Sequence, residues 1–96
     1  MSIHRRNAKR DANEPEIVKA LRQAGAYVRT ISESGLPDTL IGFRGKTYLA
    51  EIKSEKGTLT KPQEKFFDEW RGFPPVIFRS VDDAINWINS PAARGM

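Results

Sequence analysis

A helical period opens the readable part of the chain. Ile17, Ala20, Leu21 and Ala24 recur at spacings of three and four, which lays an apolar stripe along one side of a helix. Asn13 suits its N-cap, Pro15 falls in the first turn, Glu16 stands three residues past the cap as a capping-box acid, and Gly25 ends the element. The period then drops to two. In AYVRTIS, Tyr27, Arg29 and Ile31 share one face and Val28 and Thr30 the other, as in a strand. ESGLP reads as a loop, and TLIGF and TYLAEIKS are two more strand-like runs around RGK, where Gly45 supplies a positive-φ position for a tight hairpin. Past the basic loop EKGTLTK, Thr60 fits the N-cap of KPQEKFFDEW, with Pro62 in the first turn and Gln63 completing a capping box. Gln63 shares the stripe of Phe66, Phe67 and Trp70, so it points towards the protein. GFPP breaks the chain, VIFRS is a short strand, and residues 82–89 form a last helix with Ala84, Ile85 and Ile88 inward. The tail, residues 91–96, is expected to fray. Helix, three strands, helix, strand, helix predicts an α/β fold, a mixed sheet flanked by helices.

Composition narrows this picture without redirecting it. The 96 residues allow one domain with one modest core, placed at 13–90. No apolar run approaches the ~18 residues of a membrane span, and MSIHRRNAKRD lacks the apolar segment of a secretory signal. The absence of cysteine excludes disulfides, thiolate metal sites and a cysteine nucleophile, and suits a cytoplasmic location. The net charge of +4 is modest, but it clusters: Arg5, Arg6, Lys9 and Arg10 fall in a flexible basic arm, residues 1–12, and Lys53, Lys56 and Lys61 follow the hairpin. His4, the only histidine, lies in the arm, so a histidine base is not expected.

The hairpin carries the candidate chemistry. If Arg44 and Gly45 form a two-residue turn, Phe43 faces Lys46, Leu40 faces Leu49, and Asp38 faces Glu51. A longer turn or a bulge would shift this register and separate the acids. Directly opposed residues have Cβ atoms about 4.5–5.5 Å apart, where two carboxylates repel unless a cation lies between them. Lys53 shares their face one strand repeat further on. Oxygen ligands of this kind favour Mg²⁺ or Mn²⁺, which can activate water and polarise a phosphate. The bland alternative is that Asp38 caps a turn and Glu51 and Lys53 decorate an edge.

The string Gly35-Leu36-Pro37-Asp38, followed by Glu51-Ile52-Lys53 on a strand, resembles the PD-(D/E)XK nuclease signature. More narrowly, a helix with a leading acid, then G-x-P-D, (D/E)-x-K and a glutamine opening the next helix is similar to the small stand-alone VRR-NUC domains. The resemblance spans about residues 13–81 and implies a restriction-endonuclease-like fold. It makes Asp38, Glu51 and the backbone carbonyl of Ile52 metal ligands, Lys53 the catalytic lysine and Gln63 a glutamine beside the site. For the leading acid, a further catalytic residue and metal ligand in the family pattern, NEPEI offers Glu14 and Glu16; the pattern favours Glu16, while helical projection sets Glu14 nearer the stripe. The implied activity is Mg²⁺- or Mn²⁺-dependent hydrolysis of DNA, chiefly branched DNA such as four-way junctions, by a homodimer. Arg5, Arg6, Lys9, Arg10, Lys56 and Lys61 would then contact phosphates. A flap- or end-directed nuclease, a plain nicking enzyme, an inert DNA-binding module and an interaction domain are the alternatives. Tyr27, Tyr48, Trp70 and Trp87 read as core or interface residues in preference to base-stacking platforms.

Overall fold

The structure, a computed structural model, describes residues 12–94, so the arm with Arg5, Arg6, Lys9 and Arg10 lies outside the described residues. Its elements are α1 (Glu14–Gln23), β1 (Tyr27–Thr30), β2 (Thr39–Phe43), β3 (Lys46–Ile52), α2 (Lys61–Glu69), β4 (Val76–Phe78), α3 (Val81–Ile88) and α4 (Pro91–Arg94). The four strands form one sheet in the order β1-β2-β3-β4; the first two pairings are antiparallel and β3 runs parallel to β4. This is the mixed sheet flanked by helices that the element order predicts.

The β2–β3 turn sets the register. Arg44 and Gly45 adopt φ of 52° and 81°, the double positive φ of a type I′ turn, whose twist matches the flanking strands. Phe43 pairs with Lys46, Leu40 with Leu49 and Thr39 with Ala50, as the two-residue turn requires.

Alternation then divides the sheet. Val28, Ile41, Tyr48, Ala50, Ile52 and Phe78 turn to one face and form a single buried cluster with Ile17, Val18 and Leu21 of α1 and Ala84 and Ile88 of α3. The helix stripe is rotated from its expected setting: Val18 is buried while Ala24 is exposed. Asp38, Leu40, Leu49, Glu51 and Lys53 fall on the opposite face by strand alternation, and the helix on that side, α2, buries none of its residues.

Three local expectations change. Ile85, expected inward, is 40% exposed, and α3 buries Ala84 and Ile88 alone. Asn13 occupies the N-cap of α1 without a capping hydrogen bond and without a capping box to Glu16; its Nδ2 instead donates to the carbonyls of Lys53 and Arg79, at 3.3 and 2.9 Å. The side chain thus ties the helix to the ends of two strands, trading a local bond for tertiary ones. The expected frayed tail contains a helical turn, α4, because Ala93 is fully buried and the Tyr48 hydroxyl donates to the carbonyls of Ala92 and Ala93. Among the described residues no helix is long and apolar enough to cross a membrane.

Candidate active site

The site forms where β2 begins and β3 ends. Asp38 immediately precedes β2, and its backbone carbonyl accepts from Ile31 N–H at 2.8 Å, which extends the β1–β2 ladder by one bond. Its Oδ1 accepts from the Thr39 hydroxyl at 2.9 Å and from Ile52 N–H at 3.2 Å, so the carboxylate reaches across to β3. One step past the Thr39–Ala50 pair, the register sets Asp38 opposite Glu51. Pro37, buried behind it, fixes the approach of the chain.

Glu51 is 2% exposed, an unusual burial for an acid. Gln63 Nε2 donates to its Oε2 at 2.8 Å, and Lys53 Nζ lies 3.7 Å from the same oxygen. The other oxygen, Oε1, is buried and has no hydrogen-bond partner among the described residues. Burial and the charge of Asp38 push the Glu51 pKa up from 4.5 to about 7, against the opposing pull of Lys53 and of the Asp38 backbone N–H. A buried acid with one orphaned oxygen, facing a second carboxylate, suits a hard cation: the ion would satisfy the oxygen and offset the repulsion. Ile52 N–H points to the Asp38 side of its strand, and the carbonyl of a strand residue shares the edge of its own N–H.

Gln63 serves two structures at once. Its backbone N–H donates to Thr60 Oγ1 and its Oε1 accepts from Thr60 N–H, which makes the expected capping box, while its Nε2 is free to donate to Glu51. The helix cap thereby orients the site glutamine.

Asp38, Glu51, Lys53 and Gln63 are therefore brought together. Of the helix acids, Glu14 is buried and Glu16 is exposed, and no group of three or more His, Cys, Asp or Glu side chains with metal-holding spacing occurs among the described residues. Lys56 and Lys61 are exposed around the loop that follows β3.

The sequence offered no signal for Asn13 as a strap or for Arg79. Arg79 Nη1 donates to the carbonyls of Ser54, Glu55 and Gly57, at 2.8, 3.4 and 2.6 Å, and so ties down the loop after Lys53. Both roles depend on the parallel β3–β4 pairing, which brings residues 22 to 66 positions apart into contact.

No family model and no curated protein matches the chain. Among solved structures, a VRR_NUC domain matches with a TM-score of 0.62 and 23% sequence identity, over 81% of this chain and 96% of that one. The chain has the VRR_NUC fold.

Proposed function

We propose that the chain is a divalent-metal-dependent nuclease that hydrolyses phosphodiester bonds in DNA and selects its substrate by structure, with branched molecules such as four-way junctions preferred over linear duplex. The observation that carries this reading is the buried Glu51 carboxylate, with one oxygen unpartnered, opposite Asp38 and beside Lys53. Buried side-chain oxygens of a purely structural acid are in the large majority of cases satisfied.

In this reading Asp38, Glu51 and the Ile52 carbonyl hold Mg²⁺ or Mn²⁺. Held there, such an ion would supply a Lewis acid for the scissile phosphate and would lower the pKa of a water bound to it. Asp38 is fixed by Thr39 and Ile52, so its position is set before substrate arrives. Lys53, only 14% exposed and beside Glu51, would orient the attacking water or neutralise charge that develops on the phosphate. Gln63 positions Glu51 through one oxygen and leaves the other to the ligand. Of the helix acids we assign Glu14 in place of Glu16, since it is the buried one of the two, and give it a supporting part outside the ligand set. Lys56 and Lys61, with Arg5, Arg6, Lys9 and Arg10 of the arm, would contact phosphates, a sequence-independent mode of binding. A two-fold homodimer would present two such sites with the symmetry of a four-way junction.

Labelled four-way junction, flap and linear duplex incubated with protein in Mg²⁺ or Mn²⁺, beside Asp38→Ala, test the proposal. Junction cleavage by the wild type alone is the expected result. Cleavage of none of the three would overturn the nuclease reading, equal cleavage of all three would overturn branch selectivity, and a monomeric mass in solution would overturn the dimer.

A further inference from the structure

The face that bears the carboxylates also bears a cleft. Leu40 and Leu49 stand two residues from Asp38 and Glu51 on the same side of the hairpin, about 7 Å along the strands. With Thr47 they floor a cavity of about 690 Å³, whose far wall is the Trp70–Pro74 segment that follows α2. That volume lies within the roughly 300–1,000 Å³ of small-molecule sites. One helix spans both features: Gln63 near its start meets Glu51, and Trp70 at its end lines the cleft.

The aromatic wall is held in place although it faces solvent. Trp70 is 41% exposed, yet its indole stacks on Phe66 with centroids 5.1 Å apart and donates from Nε1 to the Phe73 carbonyl at 2.8 Å. The Cζ2–Cε2–Nε1 side of the indole also runs close to Gly72, where an added Cβ would come within 2.7 Å of it, and the remainder of the ring is open to solvent. Phe73, 54% exposed, is stacked on Tyr48 with centroids 5.4 Å apart. A rigid exposed aromatic pair loses little conformational entropy when a flat ligand stacks on it. Cationic side chains flank it: Arg71 is in the lining, and Arg29 is paired with Leu40 on the same face, its Nη1 held by the Tyr27 hydroxyl at 2.8 Å.

A flat apolar slot beside guanidinium groups, in line with a phosphodiester-cutting site, matches an unstacked nucleobase with its phosphates. We propose that this cleft binds the base of an unpaired nucleotide next to the scissile phosphate, stacked on Trp70, so that the site acts on DNA with an unpaired nucleotide at the cut. The proposal rests on the nuclease reading and adds a requirement at the cut, which a branched DNA meets where a base opens at its branch point. It also reassigns Trp70, read from sequence as a core or interface residue.

The test compares wild type, Trp70→Ala and Trp70→Phe in Mg²⁺ or Mn²⁺ on three DNAs: a fully paired duplex, the same duplex with one unpaired nucleotide beside the cut, and that molecule with the unpaired base replaced by an abasic residue. Expected is a wild-type preference for the unpaired base, lowered about ten-fold or more by Trp70→Ala. The abasic substrate should lower it equally, the two changes together should do no more than either alone, and Trp70→Phe should retain most of the preference. Because the readout is a ratio of substrates within one preparation, partial loss of folding does not mimic the effect. Equal loss on all three DNAs, or no loss, would overturn the cleft assignment. A binding arm is independent of cleavage: Glu51→Gln protein is titrated against 2-aminopurine at the unpaired position, and quenching is expected with Trp70 but not with Trp70→Ala. Cleavage without quenching sinks the cleft and leaves the nuclease standing; quenching without any wild-type cleavage does the reverse.

Discussion

The two faces of the sheet are built to opposite standards. On the face covered by α1 and α3, Ile41 and Ala50 are fully buried, and the polar Thr39 is buried among them. On the other, Leu40 and Leu49 are only half-buried, Tyr27 is 62% exposed and the covering helix buries nothing. Yet this loosely covered face holds Glu51, at 2% exposure the most deeply buried acid among the described residues. Stability is concentrated on one side, and the strained electrostatics sit on the other, where the hairpin and one glutamine of α2 fix them. The contrast implies that substitutions on the two faces should separate cleanly into losses of fold and losses of chemistry.

The largest expected effect breaks the chemical face. Asp38→Asn and Glu51→Gln should abolish metal-dependent cleavage while leaving the circular dichroism spectrum unchanged, and Lys53→Met should lower the rate on the order of a hundred- to a thousand-fold. Cleavage by Lys53→Met at the wild-type rate would remove the lysine from the mechanism. The converse change, Ile41→Ala on the core face, should cost about 2–5 kcal/mol in urea unfolding and, at low temperature, leave the rate of the still-folded fraction intact. A comparable stability loss from Leu40→Ala would erase the distinction between the faces.

The division between faces also explains what the sequence made legible. The hairpin register followed from Arg44-Gly45 and the alternation of TLIGF with TYLAEIKS, since turn chemistry and period are local. The facing of Asp38 and Glu51 came with it. Gln63 was readable because a capping box is a four-residue motif. What escaped was set by distant pairing. Asn13 forsakes its cap for the carbonyls of Lys53 and Arg79, and Tyr48 pins the tail into a helix through Ala92 and Ala93. The leading acid was ambiguous for a related reason. Glu14 and Glu16 both flank the stripe, and only the packed orientation of α1, with Val18 inward, separates the buried one from the exposed one.

A smaller effect sharpens the comparison through pH. The Glu51 pKa, pushed up to about 7 in the folded chain from 4.5, means that ionisation is harder when folded. Its stabilising contribution is whole below pH 4.5 and is lost as pH rises through 7. Above that, the ionised acid costs on the order of 1–3 kcal/mol in metal-free protein. Glu51→Gln should therefore raise the melting temperature at pH 8 and change it little at pH 4. Added Mg²⁺ should stabilise the wild type at pH 8 and leave the variant unmoved. Equal gains for the variant at both pH values would show that the charge of Glu51 is not the source of strain.

The smallest effect is the most discriminating, because Gln63 belongs both to a helix cap and to the site. Gln63→Ala removes both side-chain roles; Thr60 Oγ1 still accepts from the backbone N–H of residue 63, so only the reciprocal half of the capping box is lost, at a cost of about 0.5–1 kcal/mol. Gln63→Glu separates them: a glutamate accepts from Thr60 N–H as well as glutamine does, so the capping box and α2 survive. It has no donor for Glu51, however, and sets a third negative charge beside the carboxylate pair. If Gln63 only caps, Gln63→Glu should match the wild type in stability and in rate. If it positions Glu51, the glutamate should be the better folded of the two variants but the slower. Its pH–rate profile should also shift to higher pH, because Glu51 has then exchanged a hydrogen-bond donor for a like charge. A rate order with Gln63→Ala slowest and no shift in the profile would confine Gln63 to the helix.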